Sequence, residues 1–295
     1  MKKTKNIIEL LEKRATENTS VIKSVEQILK DQRGHVFKMP KKNTPVVMML
    51  SGGLDSVSTI SWLIETYELV IYPLFIDRGQ SRVKQEERSV RFFEKYFLKN
   101  YSKNFKPVFK ISTKIPPHEI RKQIIKNSGE KINKSKDQRY GIPLFSSLLA
   151  SYAVQYAFFL NYKHSIKIRT IFRATLASDS IYMAHEGLTA IRTTNLNICT
   201  QTNDYSWQFT APLIEKELGY FLDKPDLIKW SKKMNLPVHK TWSCYNDGLN
   251  HCGACDGCYK RKESFDQVKV VDKTIYENNH EGILTKLKKI IRKYS

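Results

Sequence analysis

The sequence predicts an α/β protein built on a doubly wound parallel sheet. Three observations carry that expectation. Apolar runs at 46–50, 68–76 and 105–112 alternate with helical periodicity at 55–66 and 80–99. Strand-helix-strand-helix-strand at this spacing suits parallel strands joined by covering helices. The first run leads directly into Ser51-Gly52-Gly53-Leu54-Asp55-Ser56. Adjacent glycines weaken regular elements, but between a strand and a helix they can form a turn that offers backbone N–H groups to an anion.

The remaining elements follow in order. Ile7, Ile8 and Leu11, then Val21, Ile22, Val25, Ile28 and Leu29, recur at helical spacing. They predict two short helices broken near Asn18-Thr19-Ser20, within an N-terminal extension and linker over 1–43. A packed extension is the primary reading and a partner-binding arm the alternative. Residues 113–141 interrupt the alternation, with two early prolines and eight Lys/Arg against three Asp/Glu. This basic excursion, with a short helix from Pro117 to Ile125, reads as a solvated insertion, a lid or a nucleic-acid contact. Residues 143–160 form a strongly apolar helix that packs deep. Strands are expected within 165–175 and 207–213. A helix over 223–234 opens on an aspartate cap and an early proline. The main α/β domain spans 44–240. A cysteine-rich segment covers 241–269. A basic amphipathic helix over 270–295 carries Ile283, Leu284, Leu287, Ile290 and Ile291 and is expected to dock on the body.

Composition narrows the function classes. Apolar residues make up 41% of the 295, enough for a substantial core. The formal charge of +21, from 50 basic and 29 acidic residues, suits an anionic partner or a lysine-rich solubilising surface. No run of about 20 apolar residues occurs, so no membrane span is expected. Glutamates interrupt the N-terminal apolar pattern, which argues against a signal peptide and for a cytoplasmic location. Four of five cysteines lie between Cys244 and Cys258, a density that in a reducing compartment reads as metal binding.

Two sites stand out. Neither G-x-G-x-x-G nor G-x-x-x-x-G-K-[ST] is present, so the glycine loop is not one of the usual nucleotide fingerprints. Ser51, the amides of Gly52, Gly53 and Leu54, and the Ser56 hydroxyl can surround an anion. Asp55 can cap the following helix or help hold Mg²⁺, because a carboxylate beside a phosphate needs a metal or a donor between them. Asp77 and Gln80 stand at the C-terminal end of the second strand, the usual ligand edge of such sheets, with Arg78 able to offset phosphate charge. Cys244, Cys252, Cys255 and Cys258 follow C-x7-C-x2-C-x2-C. Four soft ligands in one compact turn suit a closed, structural Zn²⁺ site, with an iron-sulfur cluster as the rival. His251 reads as a neighbour of that site and Cys199 as a buried small side chain.

The Ser-Gly-Gly-x-Asp-Ser string resembles the loop of the ATP pyrophosphatase group, which binds the pyrophosphate end of ATP. That resemblance implies an adenine nucleotide alpha-hydrolase-type sheet, with AMP and pyrophosphate as products. Together with Asp77-x-Gly79-Gln80, Glu86, Ala211-Pro212-Leu213, Lys224, Thr241-x-Ser243-Cys244-Tyr245, Cys252-Gly253-x-Cys255-x-x-Cys258, Arg261 and Phe265, the chain resembles the 7-cyano-7-deazaguanine synthase family from about 44 to 266. The resemblance implies an ATP-dependent ligase. It would adenylate a carboxylate, 7-carboxy-7-deazaguanine in the family, and convert it with ammonia to the nitrile. It also implies Zn²⁺, Mg²⁺ and ATP as cofactors or co-substrate, a small-molecule partner and a homodimer.

Asp55 and Ser56 are expected in the catalytic loop, and Asp179 and Arg192 near the acceptor. The middle departs from the family. Its Pro-Gly-Arg-Asn place reads Tyr140-Gly141-Ile142-Pro143-Leu144-Phe145-Ser146. Its Asp-Tyr-Ser-Gly-Tyr-Pro-Asp-Cys-Arg segment reads "ASDSIYMAHEGLTAIR", where Asp179 keeps the first position and His185 and Glu186 follow. The alternatives are a relative whose acceptor is a nucleic acid or protein, sulfur transfer to tRNA, and a non-enzymatic zinc-stabilised nucleic-acid-binding protein. The last leaves the glycine loop without a use.

Overall fold

Val46, Val47 and Met48 are all fully buried, and a strand buries consecutive side chains only when both its faces are covered. They form the middle of β1 (Pro45–Met49), the central strand of a five-stranded sheet. A computed structural model of the chain describes residues 2–120 and 144–277. β2 (Val70–Asp77) and β4 (Thr170–Phe172) flank β1, with Val47 lying between Tyr72 and Ile171. β3 (Phe109–Ser112) continues beyond β2, and β5 (Gln208–Thr210) beyond β4. All four pairings are parallel, and the order is β3-β2-β1-β4-β5. The chain steps outward from β1 to β3, then returns to begin β4 on the other side of β1. The crevice at that reversal, outside the C-terminal ends of β1 and β4, is where such sheets bind ligands.

Alternation along the strands assigns the two faces. Val46, Met48, Ile71, Phe75 and Phe172 share a core with α3 (Leu54–Tyr67), α4 (Val83–Asn100) and α8 (Lys224–Lys233). Val47, Leu74, Ile76, Ile171 and Phe209 share the other with α2 (Thr19–Arg33), α5 (Phe145–His164) and α7 (Leu188–Thr202). The N-terminal pair α1 (Ile7–Glu12) and α2 is therefore a packed element. Val25 and Leu29 join the sheet's core, Ile7, Leu11 and Ile22 pack with Leu188, and the Asn18 side chain caps α2 through the Val21 amide at 3.1 Å.

Some elements differ from expectation. The strand sought within 165–175 is only Thr170–Phe172. Ser165 ends α5 in a left-handed conformation, and Arg173 already turns into the crevice. Before β3, Phe105 makes a single bridge to Ile71, and Pro107 brings no N–H to a ladder. Helix α7 has no clear signal in its threonines and asparagines. Burial of Leu188, Ile191, Ile198 and Cys199 sets its apolar face, overriding weak propensity. The greater part of the basic excursion, the Tyr140–Pro143 stretch and the helix expected around Ile283–Ile291 lie outside the described residues. Among the described residues, no helix is long and apolar enough to cross a membrane.

Candidate active site and cysteine centre

The loop after β1 is held before any ligand arrives. Gly52 has φ +76°, and a Cβ there would lie 2.6 Å from the Glu86 carbonyl oxygen, so only glycine fits. The Gly52 carbonyl accepts from the Ser89 hydroxyl at 2.7 Å and from the Trp242 amide at 3.0 Å. The hydroxyls of Ser51 and Ser56 are 3.1 Å apart, and Ser56 Oγ also accepts from the Ser51 amide at 3.2 Å. Gly53 opens α3 without a side-chain cap, which leaves first-turn amides for an anion at the crevice. Asp55 is not a helix cap. Its Oδ1 lies 2.5 Å from the ammonium of Lys224. A capping box of Asp223 and Asp226 fixes the start of α8 and thereby that lysine. Lys224 is thus the donor that makes a carboxylate tolerable beside an anion loop.

Across the crevice stands a second wall. A cavity of about 270 Å³ is lined on one side by Ser51, Asp55 and Ser56, and on the other by Arg173, Asp179 and Glu186. Asp179 opens the short α6 (Asp179–Tyr182), and its carboxylate accepts from the Leu176 amide at 3.0 Å. Burial, then the charges of Asp55 and Glu186, push its carboxyl up to about 6. Glu186 behaves oppositely. Burial alone would raise it, but Arg173, His185 and Thr175 outweigh that and hold it down at about 2. Arg173 bonds to Glu186, Ser146 and the His185 carbonyl, and Thr175 donates to Glu186 at 2.8 Å. The cavity therefore holds one carboxyl raised to about 6 beside another held well below the usual carboxylate range.

Asp77 and Gln80 lie at the rim and organise a turn. Asp77 accepts from the Gly79 amide at 3.0 Å, and Gln80 accepts from the Arg78 amide at 2.9 Å. Between them they present Arg78, which lines the cavity with its guanidinium 5.4 Å from the Phe145 ring centre. Arg192 does not join the site. It is fully buried, bidentate to Glu215 at 2.7 and 2.9 Å and bonded to Glu26 at 3.0 Å. Placing it near an acceptor is corrected: it is the centre of an ion-pair cluster that ties α2, α7 and the segment after β5 together.

The cysteine centre is built by close backbone approach. Cys255 precedes and Cys258 belongs to α9 (Asp256–Gln267). A Cβ at Gly257 would come within 2.1 Å of the Ser243 carbonyl oxygen, so glycine lets the first turn of α9 meet the segment carrying Cys244. The four sulfurs lie within 4.8 Å of one another, with Cys244–Cys255 at 3.8 Å and Cys252–Cys258 at 4.0 Å. A tetrahedral ion with sulfur ligands at ~2.3 Å has edges of about 3.8 Å. The donor set therefore fits a single metal ion. Amides of Tyr245, Asn246, Cys252 and Cys255 donate to these sulfurs at 3.4 Å and favour thiolates. His251 is a neighbour. Its Nε2 accepts from the Ser243 amide at 3.0 Å, and burial depresses its basicity to about 4. Arg261 is fully buried and binds Thr241, Ser243, the Val238 carbonyl and Asp272. Cys199 is buried, as its solitary position suggested, and burial pushes its thiol up to about 11.

Arg173 is the cavity residue that sequence reasoning missed. Its signal was available, a basic residue at the C-terminal end of an apolar strand, the same signal that marks Asp77 and Arg78. Glu186 was visible only as a neighbour of Asp179.

A doubly wound parallel sheet with an SGGLDS loop at its switch point places the chain in the ATP pyrophosphatase group, and a four-cysteine centre is added to that core. Residues 45–269 match the family model of queuosine biosynthesis protein QueC, and the chain belongs to that family of ATP-dependent ligases. It is 29% identical over 252 residues to the 7-cyano-7-deazaguanine synthase of Picrophilus torridus, covering 83% of this chain and 97% of that one. It is 30% identical over 249 residues to the enzyme of the same name from Acetivibrio thermocellus, covering 78% and 96%.

Proposed function

We propose that the protein uses ATP to adenylate 7-carboxy-7-deazaguanine and converts it with ammonia to 7-cyano-7-deazaguanine. The carrying observation is one cavity in which Ser51, Asp55 and Ser56 face Arg173, Asp179 and Glu186, in a chain of a family whose relatives bear that synthase name. In the first step a carboxylate oxygen attacks the α-phosphorus, the bond to the bridging oxygen breaks, and pyrophosphate leaves. The loop amides and the hydroxyls of Ser51 and Ser56 hold that departing charge. Ammonia then attacks the acyl carbon and AMP leaves, giving the amide. A second ATP activates the amide oxygen, and loss of AMP and a proton leaves the nitrile. Asp179, with a carboxyl near 6, accepts a proton from the attacking nitrogen. Asp77 and Gln80 bound the nucleotide by presenting Arg78.

Asp55 would hold Mg²⁺, which would supply charge neutralisation at the phosphate end of ATP. The cysteine centre would hold Zn²⁺ in a structural role, since all four ligands come from the protein. The test is ATP–pyrophosphate exchange across candidate acids, beginning with the deazaguanine carboxylate, with AMP counted per product. Exchange should depend on that acid and should fall about a hundredfold or more in Asp55→Asn. Exchange supported equally by unrelated acids overturns the substrate. A larger acceptor, a nucleic acid or protein, is the second reading. It is favoured by the absence of the family's Pro-Asp-Cys-Arg residues, with His185 and Glu186 nearby instead, and by the formal charge of +21.

A further inference from the structure

The wall that carries Asp179 and Glu186 has little regular structure of its own. Between β4 and α7 it contains only the four-residue α6 and a three-residue 3-10 turn, Ala184–Glu186. Elements this short do not hold themselves in water. Three residues ahead of α2 grip the wall at both ends. Arg14 Nη1 donates to the Ala177 carbonyl and the Ser180 hydroxyl, and Thr16 Oγ1 donates to the Ser180 carbonyl. The Glu17 carboxylate accepts from the Leu188 amide at 2.8 Å, the Thr189 amide at 2.9 Å and the Thr189 hydroxyl at 2.6 Å. It thereby caps the N-terminus of α7 from a distant part of the chain, in the favourable sense for a helix dipole. Gly187 is pressed against it, and a Cβ there would lie 2.9 Å from Glu17 Oε1. Arg14 is itself seated 4.6 Å above the Phe221 ring.

We propose that Arg14, Thr16 and Glu17, outside the 45–269 stretch matched by the family model, are positioning residues that set the acceptor-facing wall of the cavity. The inference rests on the reading that this wall meets the acid rather than ATP. The nucleotide loop has separate supports in Ser89 and Trp242. Loosening the brace should therefore alter acceptor binding and leave ATP binding alone.

The test uses the full chain and two variants, Glu17→Ala and the isosteric Glu17→Gln, which keeps one acceptor oxygen and the packing if the alanine form does not fold. Amide hydrogen exchange and nucleotide binding are read alongside turnover. In Glu17→Ala the amides of Leu188 and Thr189 and their neighbours back to Ala177 should exchange about tenfold faster, with β1 and α3 unchanged. KM for the acid should rise about tenfold while the affinity for ATP stays within twofold, and Glu17→Gln should fall between parent and alanine. Unchanged exchange over 177–189 overturns the brace whatever the reaction proves to be. Faster exchange with unchanged KM for the acid overturns its role toward the acceptor. A parent that exchanges as expected but never turns over the acid refutes the proposed substrate and, with it, this role.

Discussion

The backbone amide of Trp242 donates to the carbonyl of Gly52 at 3.0 Å, joining the segment that enters the cysteine centre to the turn that faces the anion. Cys244 is two residues further on. Metal loss should therefore reach the nucleotide. Chelation, or Cys255→Ser, is expected to release the metal and weaken ATP binding at least about tenfold, because ligand loss at such a centre is loss of local folding energy. Metal content and ATP affinity measured on the same samples check this. Unaltered ATP affinity in metal-free, folded protein would contradict it.

The two loop glycines should differ. Gly52→Ala meets both a positive φ and the Glu86 carbonyl, and should cost about 2 kcal/mol or more. Gly53 has φ −77° and its nearest neighbour would be the Ser51 hydroxyl at 3.3 Å, so Gly53→Ala should cost less than about 1 kcal/mol. Denaturant titration of the two variants separates them. Equal losses would mean that the turn is not shaped by Gly52.

Arg192→Met should destabilise the protein by about 3–5 kcal/mol, since it strands Glu215 as a buried carboxylate, while Glu26 keeps Lys216 at 3.1 Å. Burial raises Glu215, and Arg192 more than offsets this, holding its carboxyl below the usual range. The KM for ATP of the remaining folded enzyme should not change. A variant of parental stability with impaired turnover would return Arg192 to the reaction.

Asp179 gives a pH signature of opposite sign to an ordinary paired carboxylate. Its folded value, about 6, lies above the ordinary aspartate value of 3.8. Between those values the folded protein binds more protons than the unfolded chain, so this group costs stability as pH rises from about 4 to 6. Asp179→Asn should thus raise stability at pH 7.5, by on the order of 1–3 kcal/mol, and have little effect at pH 4. Melting curves at the two pH values decide it. A variant less stable than the parent at pH 7.5 would show that the carboxylate is favoured where it lies.

Legibility in the sequence followed the range of the interactions. β1, the glycine loop and the cysteine spacing are local patterns, and each could be read within about fifteen residues. Lys224, Arg261 and Phe265 could be aligned with a family but not explained. The explanation is that Lys224 faces Asp55 and Arg261 holds Thr241 and Ser243. Arg192 was misplaced because nothing nearby marks a buried arginine. One of its partners, Glu26, is 166 residues away. The Glu17 cap on α7 escaped for the same reason, at separations of 171 and 172 residues. Helix α7 itself was hidden by residues of modest helical preference that its burial overrides.

The pairing of Asp55 with Lys224 spans 169 residues, and the Gly52 carbonyl is shared between Ser89 and Trp242. During synthesis the SGGLDS turn leaves the ribosome long before its counter-charge and its second clamp exist. An early nascent chain carries the motif but not the site, because Asp55 faces the anion without its lysine and the turn lacks the Trp242 amide. Nucleotide capture waits until the chain has been made through Trp242. ATP cannot template the first half of the sheet, which must form from its own apolar strands and helices.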